Sequence, residues 1–193
     1  MLKLKVPRVC FTRMKSLFAL FSLTFAIAQV TELNRTQYLG RWYQVYSDLF
    51  VDATFENSSF CDTADYATYP NDTISVWNRE RQYNVTGPER QIFGWAEAED
   101  STKPGELTVH LETTGFGAPY WVYQLGPVVK DKYEYSIVSD PLKLTLFVLA
   151  RNVTHFMDKY NDNVTNYLTE QGFTDILNSP ILTPQEGCES WEI

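Results

Sequence analysis

From Arg41 to Arg151 apolar and polar residues alternate in short runs broken by turn residues. Runs with a period of two, bounded by glycine, proline, asparagine and aspartate, are half-buried strands. They predict strands near 41–48, 60–69, 72–82, 90–98, 106–113, 119–125, 133–139 and 144–151. The breaks are Pro70-Asn71-Asp72, Gly87-Pro88, Lys103-Pro104-Gly105, Gly115 to Pro119, Gly126-Pro127 and Asp140-Pro141, all of them turn chemistry. Eight strands on short loops pair antiparallel with their sequence neighbours. Closing such a sheet into a barrel removes its open edges.

After Arg151 the period lengthens. Phe156, Met157, Tyr160, Val164, Tyr167, Leu168 and Gln171 share one face at 100° per residue, which predicts a helix over about 155–171. Thr154 can cap its start and Gly172 can end it, leaving a tail over 172–193. The fold class is therefore all-β: an antiparallel sandwich or barrel with one helix packed outside.

Within the strands the aliphatic positions mark the inner face. Ile74, Val76, Asn78 and Glu80 share one face of the third strand against Ser75, Trp77, Arg79 and Arg81. Leu107, Val109 and Leu111 share one face of the fifth. Ile92, Gly94, Ala96 and Ala98 are small inner residues of the fourth, and Ala64 and Tyr66 belong to the second. Small residues on one wall argue for an open interior over a barrel filled by its own side chains.

The amino terminus reads differently. Lys3, Lys5, Arg8, Arg13 and Lys15 precede an apolar run over 17–26, which Ala26-Ile27-Ala28 closes with a small-x-small cleavage signature. That layout is a secretory signal peptide over 1–28, with Met1 or Met14 as its start. The run is shorter than the roughly 20 residues a membrane span needs. Residues 29–193 then form one domain. The net charge of −8 becomes −13 without the first 28 residues, because they hold five basic residues and no acid. Such a charge excludes a nucleic-acid partner.

An oxidising compartment allows Cys61 and Cys188 one pairing, the alternative being two buried thiols. Asn34, Asn57, Asn71, Asn84, Asn152 and Asn163 each open an N-x-S/T sequon, whereas about one or two would arise by chance. Each is an expected surface position.

Catalytic constellations are missing from the pattern. His110 and His155 lack metal-ligand spacing, and there is no G-x-S-x-G or phosphate-binding loop. The residues call for no metal, no cofactor and no enzyme.

Tyr38-Leu39-Gly40-Arg41-Trp42-Tyr43, Thr54-Phe55-Glu56-Asn57, Cys61 with Tyr66 five residues on, Pro119-Tyr120-Trp121 and Leu149-Ala150-Arg151-Asn152 together resemble the lipocalin family, in its apolipoprotein D and bacterial lipocalin branch. The resemblance spans nearly the whole of 29–193. It departs from the family at T-D-Y between strands six and seven, where Gly126 to Tyr133 stands instead. It implies an eight-stranded up-and-down barrel with a C-terminal helix, a Cys61–Cys188 bridge and a central ligand cavity. It also implies a floor made by Gly40, Trp42 and Arg151, with Arg151 stacked on Trp42.

Arg151 pointing inward selects Phe147 and Leu149 as inner residues of the last strand. By family position Tyr66, Asn78, Leu111 and Phe147 resemble ligand-contacting sites. The ligand-binding set is then Tyr66, Val76, Asn78, Glu80, Gly94, Leu107, Val109, Leu111, Tyr120, Phe147 and Leu149. Asn78, Tyr66 and Tyr120 are its polar anchors, with Glu80 nearer solvent. With the first strand rising from the floor, the loop carrying Leu49, Phe50 and Val51 lies at the mouth. It is either a folded-in lid or a patch for transient lipid contact, the lid being favoured. The implied function is a secreted carrier of a small hydrophobic ligand such as a fatty acid, sterol or retinoid. Its alternatives are an enzyme acting on a lipid or isoprenoid, and an acidic scavenger of cationic amines.

Overall fold

The structure is a computed structural model that describes residues 29–188; the signal-peptide segment lies outside the described residues. Eight strands form the barrel: β1 (Gly40–Ser47), β2 (Ser59–Tyr69), β3 (Thr73–Gln82), β4 (Glu89–Ala98), β5 (Glu106–Leu111), β6 (Gly117–Leu125), β9 (Tyr135–Ser139) and β10 (Leu146–Ala150). Each pairs antiparallel with the next, and β10 returns to β1, with Tyr43 opposite Ala150, to close the ring. The strand bounds lie close to those the alternation predicts. Two short strands, β7 (Val128–Val129) and β8 (Lys132–Tyr133), occupy the stretch that replaces the T-D-Y motif. Lys130 and Asp131 turn between them, both with positive φ, as a two-residue hairpin requires.

The barrel wall separates two cores. Inside lie Trp42, Ala64, Tyr66, Ile74, Val76, Ala96, Leu107, Val122, Val138 and Leu149. Outside, Val45, Tyr46, Tyr123, Ile137 and Val148 pack under two helices, α3 (Val153–Lys159) and α4 (Asn161–Glu170), through Phe156, Tyr160, Val164 and Leu168. The sequence predicts one helix here, and the structure breaks it at Tyr160, where φ is −118°. That ring packs against Tyr135, Phe156 and His155 at the break. The cap also differs. Asn152, not Thr154, caps α3, its side-chain oxygen accepting from the His155 N–H at 2.8 Å.

Two bulges shape the mouth half of the barrel. In β1 the register slips between Gln44 and Tyr46, which turns both Val45 and Tyr46 outward to the helices. In β2 it slips between Phe60 and Thr63, with Cys61 in the left-handed region at φ 61°. Above Tyr43, β1 and β2 no longer pair, and the C-terminal segment fills the seam. Its strand β11 (Ile181–Leu182) pairs with Tyr46 and Ser47. Gln185 donates to the carbonyls of Gln44 and Asp62, and the Cys61 N–H donates to the Pro184 carbonyl. The Cys61–Cys188 disulfide locks this splint across a separation of 127 residues. A loop of that length stabilises by about 5 kcal/mol in the chain-entropy limit.

At the other end a short helix, α1 (Arg35–Tyr38), lies under the barrel. Its last carbonyls lack helical partners, and Arg151 supplies them by donating to Gln37, Tyr38 and Leu39 at 3.0–3.1 Å. Arg151 donates also to the carbonyls of Arg41 and Tyr133, and its guanidinium sits 3.5 Å from the Trp42 ring centroid. Trp42 is fully buried and donates its indole N–H to the Tyr38 carbonyl at 2.9 Å. Gly40 has φ +103°, a left-handed conformation that glycine adopts without strain. Truncating Trp42 to alanine is expected to cost about 3–5 kcal/mol in urea unfolding. Arg151→Ala is expected to cost less, and parental unfolding of both variants would contradict this floor.

Candidate ligand-binding site

Alternation along the strands places the expected inner residues where the sequence puts them. Tyr66, Val76, Leu107 and Leu149 are buried inside, and Val109, Leu111, Tyr120 and Phe147 are half-buried against the same core. The half-buried set lies along the shaft above the floor. Gly94 has a different role from the one expected. A Cβ there would fall 2.1 Å from the His110 carbonyl oxygen, so glycine serves close approach of β4 to β5 rather than opening the interior.

At the closed end three tyrosines meet. Tyr120 Oη lies 2.7 Å from Tyr38 Oη and 3.1 Å from Tyr66 Oη, and Tyr38 Oη lies 3.0 Å from Ser136 Oγ. Burial pushes the Tyr38 phenol up to about 12 and raises those of Tyr66 and Tyr120 as well, so all three are neutral hydroxyls. Tyr66 and Tyr120 are among the expected anchors. Tyr38 and Ser136 are not, although Tyr38 stands two residues before Gly40 in the motif that opens β1.

Towards the mouth the interior turns acidic. Asn78 has a buried side-chain oxygen with no partner among the described residues. Glu80, expected near solvent, is only 9% exposed and pairs with the Arg90 guanidinium at 2.9 Å. Gln44 donates to Glu56 at 2.7 Å and Ser59 to Asp62 at 3.0 Å. Burial raises Asp62 to about 7, helped by the nearby charge of Glu80. Burial also raises Glu56, with Asp62 adding to the effect, and Glu80, which Arg90 partly offsets. Sequence reasoning missed Asp62 because only the β2 bulge turns it toward Glu80, and Glu56 because it lies in the link before β2 and meets Gln44 and Asp62 only in the fold.

Leu49, Phe50 and Val51 fall in a helix, α2 (Leu49–Thr54), capped by Asp48. Val51 is fully buried while Leu49 and Phe50 are half-buried, and the Phe50 N–H donates to the Leu177 carbonyl. Val51 is thus folded into the protein and out of reach of lipid, while Leu49 and Phe50 keep part of their surface. All six sequon asparagines are exposed. Asn34, Asn84 and Asn152 accept hydrogen bonds through the side-chain oxygen, leaving the nitrogen that would carry a glycan outside those bonds. His110 pairs with Glu97 on the outer wall and His155 with Glu134 at the start of α3. Among the described residues no three His, Cys, Asp or Glu side chains are placed to hold a metal ion. An open groove of about 460 Å³ lies on the outer wall of β5 and β6, beside Lys103, Glu106 and Trp121, outside the barrel.

A family model described as a lipocalin-like domain matches residues 33–180. The chain belongs to the lipocalin family. This lipocalin is 35% identical to apolipoprotein D of Bos taurus over 158 residues, which cover 75% of this chain and 77% of that one. It is 29% identical to the outer membrane lipoprotein Blc of Vibrio cholerae over 131 residues, 67% of this chain and 71% of that one. Among solved structures it superposes on lobster apocrustacyanin A1 with a TM-score of 0.57 and 17% identity, over 80% of this chain and 81% of that one. The barrel is thus that of a family of small hydrophobic ligand-binding proteins.

The buried acids give this lipocalin a pH dependence of definite sign. Each holds its proton to higher pH when folded than when unfolded, so the folded chain binds more protons between about pH 4 and 7. Their contribution is fully present below the unfolded value and is lost as pH rises through the folded one. Thermal unfolding should therefore show stability falling over that window. Asp62→Asn, which keeps an acceptor for Ser59, should flatten the slope and gain at least about 1 kcal/mol at pH 8. An unchanged slope would mean that Asp62 is ionised in the folded chain throughout.

Proposed function

We propose that this lipocalin is a secreted carrier that holds a small, neutral hydrophobic molecule inside its barrel. The observation that carries the reading is the shaft of half-buried apolar side chains, Val109, Leu111 and Phe147, between the hydroxyls below and the acids above. An apolar lining with few polar groups suits a hydrophobic molecule with a polar end. About 300 Å² of buried apolar area would supply roughly 7 kcal/mol, before association costs of about 4 kcal/mol or more. Affinity then depends on those few polar groups. The basic and apolar segment over 1–28, the Cys61–Cys188 bridge and six exposed sequons support secretion.

Leu111→Trp should fill the shaft and weaken binding of a retinoid and of a long-chain fatty acid at least about tenfold. The exposed neighbour Glu112→Ala should leave both unchanged in fluorescence titration. Equal binding by Leu111→Trp and the parent would move the site out of the barrel. Recovery of ligand unaltered after incubation distinguishes a carrier from an enzyme.

A second reading has its own observation, the crowding of Glu56, Asp62 and Glu80 beside Arg90. Such a mouth would attract a cationic amine. Failure of every apolar ligand, together with tight amine binding lost in Glu80→Gln, would decide for it.

A further inference from the structure

The hydroxyl cluster at the closed end has more protons than acceptors in use. Ser136, Tyr38, Tyr120 and Tyr66 form a chain linked by three hydrogen bonds. Four hydroxyls bring four protons, and each bond uses one. One O–H is therefore left without an acceptor in the chain. Because every oxygen can also accept, concerted rotation of the hydroxyls can leave that spare proton on any of the four.

Burial selects the position from which it can be used. Ser136 is 0%, Tyr38 1% and Tyr66 7% exposed, so none of them offers room to a partner. Tyr120 alone keeps appreciable surface, and its register opposite the inward Leu107 turns it into the barrel. When Tyr120 accepts from both Tyr38 and Tyr66, its own proton points up the apolar shaft. A buried donor without an acceptor costs about 1–3 kcal/mol, and an acceptor arriving from above relieves that cost.

The surroundings restrict what the acceptor is. The cation whose field reaches Tyr38 and Tyr66 is Arg151, and it is stacked on Trp42 and donates to five backbone carbonyls. A carboxylate brought to the hydroxyls would find neutral donors and no cation free to compensate its lost hydration. At the other end Arg90 is already paired with Glu80 at 2.9 Å, so it too has no charge to spare for an anionic head. We infer that the barrel takes an apolar molecule carrying a neutral carbonyl group, which enters carbonyl first and accepts a hydrogen bond from the Tyr120 hydroxyl. The inference rests on the carrier reading above and names both the ligand class and its orientation.

Equilibrium dialysis of the secreted chain with radiolabelled 2-dodecanone, dodecane and dodecanoate tests it. Tyr120→Phe should weaken 2-dodecanone about five- to tenfold and leave dodecane within about twofold. Ser136→Ala shortens the chain to three hydroxyls and two bonds, still with one spare proton, so it should keep ketone binding. A merely structural role for the cluster would instead weaken both ligands in both variants. Dodecanoate should bind the parent more weakly than the ketone. Should Tyr120→Phe not fold, the carbonyl stretch of ¹³C-labelled 2-dodecanone bound to the parent gives the same answer. It should fall below its value in hexane, and an unshifted band overturns the inference. Equal binding of ketone by parent and Tyr120→Phe also overturns it, while tight dodecane binding in that case leaves the carrier reading standing. Binding of none of the three probes overturns both.

Discussion

The closed end of the barrel depends on Arg151. Its guanidinium lies on the Trp42 ring and donates to the carbonyls that end α1, so one side chain joins β10, β1 and the segment before β1. The stack contributes about 0.5–2 kcal/mol as a cation–π contact, but the carbonyls matter more. Without a donor they would be buried and unpaired, at a cost of about 1–3 kcal/mol each. Burial lowers Arg151 to about 10, which leaves it charged at neutral pH. That retained charge beneath a hydrogen-bonded hydroxyl cluster gives the interior a donor-rich base.

The open end is held by different means. Bulges in β1 and β2 break their pairing above Tyr43, and the strap from Ile181 to Cys188 bridges the gap. The price of the arrangement is a group of carboxylates, Glu56, Asp62 and Glu80, close together and poorly hydrated. Hydroxyl donors below, aliphatic walls between and buried acids above make a polarity gradient along the shaft. A ligand is read by how its own polar atoms match that gradient, since apolar area alone does not discriminate one oily molecule from another.

Strands and their faces were legible because alternation is local: Val76, Leu107 and Leu111 need only their neighbours to be placed, whereas Leu149 needed the inward Arg151 of the family motif. The floor was legible through a motif whose parts are close in sequence at one end and far apart at the other, Gly40 to Trp42 and Arg151. What escaped was set by backbone irregularity. A bulge adds one residue without altering composition, so nothing near Cys61 signals that Asp62 will face Glu80. Thr154 and Asn152 are both good caps, and only the path out of β10 selects the latter. Gly94 shows the converse: its small size was apparent, but the carbonyl that makes it necessary belongs to the next strand. Tyr38 belongs to a four-residue helix too short to announce itself by periodicity.

Native mass spectrometry after exposure of the folded chain to a total lipid extract tests most directly whether the barrel is a carrier's cavity. One small neutral apolar molecule per chain, released unchanged on unfolding, is the expected result. A chain that emerges unliganded at every extract concentration, while still folded, would contradict it.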